Sequence, residues 1–383
     1  MLYQDDVARM ANDPSSVQFG NDKMEAVAES KLLDFNLKKS SYLLIGKQSS
    51  CRKIEQQLEL QPITLCGQNM KRDKEAKYLG DWISQEGLAK SAAITVMKRK
   101  KAVLSAIHDI RAVVDDHRSS ICGGLVVGLQ IWEMAIIPML LYNSECWLDL
   151  SENTLVELEN LQKKFLRSLL AVGSGCPTPS LYWETGTMLM KNRILKRKLN
   201  LLHHLHSLPN DSLAKEVMEI QYKFEMPGLV SECKDLLNHL GIANISTYSK
   251  PQFKGLVNKE MRKLNRKDLI ANSKQYSKIG YNESDIFELK AYFNQLDVSS
   301  ARMRFKIAVN MVPSIQMNFK SDRKFAANLW TCSGCSTSQD TQDHVIECPG
   351  YANLRTNLDL HEDGDLVKYF RQVLMVRYDL EDL

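Results

Sequence analysis

Apolar positions recur at helical spacing along most of this chain. Val96, Val103, Leu104, Ile107, Ile110 and Val114 mark one face of a helix beginning after Leu88, opposite a polar face of Lys98, Arg99, Lys100 and Lys101. A second helix is predicted over 119–137, stopping near Pro138, whose ring and missing N–H disfavour a helix interior. Ser151 starts a third, which carries Leu155, Leu158, Leu161, Phe165, Leu166 and Leu169. Gly173, Gly175, Pro177 and Pro179 break the pattern. Further helices follow over 189–208, 212–224 and 229–240, separated by Pro209-Asn210 and Pro227-Gly228.

The stretch before Leu88 reads differently, as α+β. Short strands over 1–3 and 7–10 flank the acidic turn Gln4-Asp5-Asp6, and Asn12-Asp13-Pro14 supplies turn and N-cap chemistry for a helix over 17–33. Tyr42 to Ile45 is an apolar run closed by Gly46, and Lys77 to Ser84 is a strand-like run ending in a turn at Glu86-Gly87. The fold class expected is therefore mainly α, with a small α+β section at its start.

Composition sets wide bounds. With 383 residues, 44% hydrophobic and 25% charged, the chain has room for two or three ordinary globular domains. A net charge of +4 neither demands nor excludes a nucleic-acid partner. The run from Ile121 to Tyr142 approaches bilayer length, but Gln130, Glu133 and Pro138 interrupt it, so a buried helix and no membrane partner are expected. The first residues do not form a signal peptide and six of the nine cysteines are scattered, which points to a reducing compartment, nucleus or cytoplasm.

Charge is distributed unevenly. Lys191, Arg193, Lys196, Arg197 and Lys198 form one basic group; Lys250, Lys254, Lys259, Arg262, Lys263, Arg266, Lys267, Lys274 and Lys278 form another, against only Glu260 and Asp268. Such groups are either solvated helix faces or phosphate-contacting stripes. On the second reading Lys196, Arg197, Lys198, Arg262, Lys263, Arg266 and Lys267 are the candidate nucleic-acid contacts.

The sharpest motif lies near the C-terminus. Cys332-x2-Cys335-x8-His344-x3-Cys348 offers three thiolates and an imidazole, a complete tetrahedral set for zinc with no open position, hence structural and not catalytic. Trp330, Lys324 and Arg355 flank it, an aromatic and two cations suited to base stacking and phosphate contact. The second motif is Tyr3-Gln4-Asp5-Asp6, whose adjacent carboxylates are hard oxygen ligands for Mg²⁺. Asp115-Asp116 reads as a solvated turn.

In their order these segments resemble the reverse transcriptases of non-LTR (LINE-like) retrotransposons. Tyr3-Gln4-Asp5-Asp6 resembles the metal-binding palm turn of that family; Asn36-x2-Lys39-Ser40 the segment after the palm helix; Tyr78-Leu79-Gly80 the hairpin that grips the primer end. Pro138-Met139-Leu140-Leu141-Tyr142, with Glu145 and Trp147, resembles the Leu-Tyr-Gly-x-Glu-x-Trp signature ending the thumb, with Asn143 in place of glycine. Residues 161–167, then Leu181-Tyr182 and Gly186, resemble the helical region beyond, and Cys348-Pro349-x-Tyr351 the close of the family's knuckle.

The resemblance implies a palm remnant (1–87), a helical thumb (88–175), a basic helical connector (176–325), a zinc knuckle (326–352) and a C-terminal tail (353–383). It implies two-Mg²⁺ nucleotidyl transfer on an RNA template and DNA primer in an intact enzyme, with Asp5 and Asp6 in the metal cage and Lys39 near the pyrophosphate. The family's third metal ligand and its fingers have no counterpart in this sequence. The chain alone is therefore expected not to polymerise, and its truncated sheet to leave an apolar surface near Ile45 and Leu79. The alternative is a non-catalytic zinc-knuckle protein that binds nucleic acid, a transposon relic or a domesticated one.

Overall fold

The computed structural model describes residues 2–3, 6–116, 122–242, 244–274, 281, 287–312 and 331–378, with the backbone alone for Leu2, Tyr3 and Asp6. It is mainly helical, 64% helix against 6% strand. The chain divides into two compact units, one of residues 1–101, 140–158 and 197–248, the other of 102–139, 159–196 and 249–383. These do not follow the five consecutive segments of the sequence reading. The boundary at 87/88 marks a change from paired strands to helix and that at 175/176 a loop between two helices, whereas each unit collects apolar faces from stretches far apart in sequence.

In the first unit the helix Pro14–Ser30 starts three residues before the expected position, because Pro14 fits the first turn and Asp13 caps it, accepting from the Ser16 amide at 2.8 Å. Asn21 on its buried side donates to the Thr64 carbonyl at 2.8 Å, tying the helix to the pair Thr64–Leu65 and Gln68–Asn69. Strands occur only as four two-stranded pairs, so among the described residues there is no central sheet. The run 42–45 pairs only through Ser41–Tyr42, parallel to Lys71–Arg72. Met10, Phe19, Val27, Leu32, Leu33, Ile45 and Leu60 are exposed, while Leu79 is half-buried. The helix Gln48–Leu60 was not anticipated.

The second unit is helical throughout its core. Val103, Ile107, Ile110 and Val114 are buried as their spacing requires. Gly128 permits close helix packing: a Cβ there would lie 2.6 Å from Leu169 and 3.1 Å from Val114. Trp132 stacks on Phe165 with ring centroids 4.1 Å apart, both fully buried, worth about 1 kcal/mol beyond the area removed from water. The helix Gly124–Ile131 does not stop before Pro138. A π-turn at Trp132–Ile136 shifts the hydrogen-bond register, and helix continues over Ile137–Leu140. No described helix is long and apolar enough to cross a membrane. Asp115 is not a solvated turn residue: it ends the helix Leu88–Asp116, paired with Arg302 at 2.7 Å and Arg111 at 3.3 Å.

The stretch read as a tail contains the helix Asp363–Tyr378, whose Val367, Tyr369, Phe370, Val373 and Leu374 are buried against Ile307, Val312, Val345 and Tyr351. Its amphipathic pattern, hidden among acidic residues at both ends, completes the core under the cysteine motif.

Candidate metal centre and cationic surfaces

Four potential ligand atoms converge. Cys332, Cys335, His344 and Cys348 place their sulfurs and a ring nitrogen all within 4.8 Å of one another. The sulfurs of Cys332 and Cys348 lie 3.6 Å apart, and Cys335 Sγ lies 3.3 Å from His344 Nε2. A tetrahedron with metal–sulfur bonds near 2.3 Å has edges of about 3.8 Å, slightly shorter to nitrogen. These two separations lie near that figure and no pair exceeds 4.8 Å, so the cluster could hold a metal such as zinc.

Local sequence builds the cluster. Cys332 and Cys335 flank a tight turn in which the Gly334 amide points at the Cys332 sulfur at 3.4 Å. Thr341 caps the short helix Gln342–Glu347 by accepting from the His344 amide at 3.1 Å, which fixes the histidine one turn ahead of Cys348. Gly350 sits where a Cβ would come within 2.0 Å of the Gly334 carbonyl oxygen, so the two cysteine turns close only over glycine.

The thiols are unequal. Hydrogen bonds from the Thr337 hydroxyl and amide hold Cys335 down to about 5. Burial pushes the enclosed Cys348 up to about 11. Cys176 and Cys233, buried elsewhere, are pushed up to about 12 by desolvation.

A second layer locks the cluster to its surroundings. Fully buried Asp340 accepts two hydrogen bonds from Arg377, at 2.5 and 3.1 Å, and Arg377 also donates to the Tyr351 hydroxyl at 3.0 Å. That hydroxyl lies 3.0 Å from Ser333 Oγ. Arg355, read from sequence as a phosphate contact, instead donates to the Ile346 and Cys348 carbonyls at 2.9 Å each. Its charge satisfies carbonyls at the end of the short helix. Trp330 and Lys324 lie outside the described residues.

The primer-grip-like segment is a hairpin. Strands Glu75–Tyr78 and Asp81–Ser84 pair antiparallel, turning through Leu79 and Gly80 at φ 46° and 87°, the left-handed values of a tight hairpin turn. Arg99 holds the turn. It donates to the Gly80 carbonyl at 2.9 Å and Asp81 at 2.7 Å, and also to the carbonyls of Leu140 at 3.0 Å and Tyr142 at 2.9 Å. Asn143 donates to the Leu79 carbonyl at 3.2 Å and the Trp147 indole to Asp81 at 3.4 Å. Two motifs singled out separately in the sequence thus meet through one guanidinium, which sequence reading had placed on a merely solvated face.

The palm-like turn is described only in part. Leu2–Tyr3 pairs with Asp6–Val7, Tyr3 opposite Asp6; Asp5 lies outside the described residues, as does the side chain of Asp6. Lys39 is exposed, its backbone amide bonded to the Asn36 carbonyl at 3.0 Å.

The candidate phosphate contacts separate into engaged and free cations. Lys198 is buried and paired with Glu232, Arg197 faces Glu145 at 3.4 Å, and Lys263 pairs with Glu260 at 2.8 Å. Consecutive residues on a helix point in different directions, so the run Lys196-Arg197-Lys198 was never one surface. Among the described residues Lys196, Arg262, Arg266 and Lys267 have no ion-pair partner. Compared with known proteins, the chain matches no family model, no curated protein and no solved structure.

Proposed function

We propose that this chain is the palm-end-to-C-terminus portion of a reverse transcriptase of the non-LTR retrotransposon type, a nucleic-acid-binding polypeptide whose C-terminal knuckle is built around one structural zinc ion. The observation that carries the reading is the junction at Arg99. The Leu79-Gly80 turn and the Leu141-Tyr142-Asn143 segment, quoted independently for the family resemblance, are joined by Arg99, Asp81, Asn143 and Trp147. A hairpin tip clamped in this way is a rigid ledge, which is what positioning a primer end requires.

The cysteine cluster supports the same reading, because three sulfurs and a ring nitrogen within 4.8 Å of one another would complete a tetrahedral set and leave no site for a reacting water. Zinc there would offset two of the three thiolate charges and hold residues 332–348 together. In an intact enzyme Asp5 and Asp6 would contribute oxygen ligands to Mg²⁺, and Lys39 would stand by the leaving pyrophosphate. The chain by itself binds RNA or DNA and does not extend a primer.

The test is direct. Purified chain is titrated into a fluorescent RNA–DNA primer–template, then incubated with Mg²⁺ and nucleotides. Salt-sensitive binding without extension is expected. Extension lost in an Asp5→Asn variant contradicts the inactive chain, and absence of binding contradicts the whole reading. That last outcome would also exclude the relic or domesticated binding protein, which shares the same surfaces.

A further inference from the structure

The free cations of the second unit are not scattered. Lys254, Arg262 and Arg266 fall at multiples of four residues along the helix Lys250–Ser273, and so form one ridge. The helix Met190–His206 lies beside it: Leu189 and Asn192 both donate to Asn265, at 2.8 and 3.1 Å, and Asn192 also reaches Asp268 at 3.0 Å. One turn on from Asn192, Lys196 joins the ridge. Burial, then the charges of Arg193, Lys254 and Arg262, draw its ammonium below the usual lysine value.

Among the described residues no carboxylate lies within ion-pair distance of these four cations, and Glu133 acts on Lys196 only from further off. The helix Met190–His206 contains no acid, and Lys250–Ser273 contains only two. Glu260 is taken by Lys263, Asp268 accepts from Asn192, and Glu133 is held by both terminal nitrogens of Arg193 at 2.5 and 2.7 Å. Like charges collected without counter-charge repel one another, and the arrangement becomes favourable when an anion supplies the missing half. From residue 254 to 266 the ridge runs about 18 Å, several phosphates of one strand. The N-terminal turn of the helix adds its own positive end beside Lys254.

We propose that Lys254, Arg262 and Arg266, with Lys196 alongside, form a seat for the phosphodiester backbone of nucleic acid. The proposal rests on the nucleic-acid reading above and narrows it: Arg197, Lys198 and Lys263 are excluded because their charge is spent within the protein. The seat reads no sequence, since cations on phosphates position a strand without touching base edges.

The test compares the full chain with two charge-neutralised variants: K254Q/R262Q/R266Q on the ridge and K31Q/K53Q on an exposed flank of the first unit. Binding to fluorescent single-stranded RNA and to an RNA–DNA hybrid is followed across salt. The ridge variant is expected to bind about tenfold or more weaker, and its slope of log affinity against log salt to fall by about 2–3, at 0.7–0.9 per lost phosphate contact. The flank variant should keep the parental slope. Single changes K254Q and R262Q, both at exposed side chains, guard against misfolding and should each remove a little under one unit of slope.

If the chain binds but the ridge variant keeps its slope, the seat is wrong while the nucleic-acid reading stands. If the chain binds neither nucleic acid, both fall. Ridge-dependent capture by phosphatidylserine vesicles without nucleic-acid binding would assign the surface to a membrane and overturn the proposal.

Discussion

The guanidinium of Arg377 grips the carboxylate of Asp340 with two hydrogen bonds, and Asp340 is wholly enclosed. One residue belongs to the C-terminal helix and the other to the loop that carries Cys332 and Cys335, so the pair ties the cysteine cluster to the helix that completes its core.

Removing half of that pair should be costly. Arg377→Met takes both guanidinium hydrogen bonds from a buried carboxylate, and a loss of about 3–5 kcal/mol is expected, read as a lower denaturation midpoint. The double variant Asp340→Asn/Arg377→Met should be milder than the single change, because no bare charge remains. Equal losses would mean the pair contributes only volume.

Arg99→Lys should loosen the hairpin almost as much as Arg99→Met. An ammonium cannot span the Gly80, Leu140 and Tyr142 carbonyls while holding Asp81, as the fork of Arg99 does. Each variant is expected to lose about 2–3 kcal/mol and to be cut by protease at Leu79-Gly80. A lysine variant indistinguishable from the parent would show that charge alone suffices.

Gly350→Ala should disrupt the cysteine cluster, because its Cβ meets backbone, not a movable side chain, at 2.0 Å. Gly364→Ala, where nothing lies within 4 Å, serves as the matched control. Amide exchange over residues 331–351 should rise in the first variant only.

Thiol reactivity should rank by ionisation. With a chelator present, Cys335, held down to about 5, is thiolate at neutral pH, and its alkylation should slow only as pH falls through about 5. Cys176 and Cys233, pushed up to about 12 and buried, should stay unmodified in the folded chain even at mildly alkaline pH. Bound metal should protect Cys335. A Cys335 that alkylates only above neutral pH would contradict the order.

How much of this was legible follows from sequence separation. The four cysteine and histidine ligands lie within seventeen residues, so spacing alone foretold their convergence. The helix start at Ser151 was legible because its cap is local, the Thr154 amide donating to Ser151 Oγ, whereas at Asp13 the capping residue was recognised but the helix was read as starting three residues too late. The helix Gln48–Leu60 escaped because it buries only Leu58 and exposes Leu60. Pro138 misled because a π-turn absorbs its missing amide. Pairing was illegible: Glu232 lies 34 residues from Lys198, Asp340 lies 37 from Arg377, and the Tyr142 carbonyl lies 43 from Arg99. Composition gave the cations, and only packing separated those already spent from those free.

Metal analysis of the intact purified chain bears most directly on the account. One zinc per chain is expected, retained through dialysis and lost in Cys335→Ser, together with amide-exchange protection over residues 331–351 and the 363–378 helix. A chain that carries no zinc when purified with zinc present, or a Cys335→Ser variant that keeps both its metal and its protection, would contradict it.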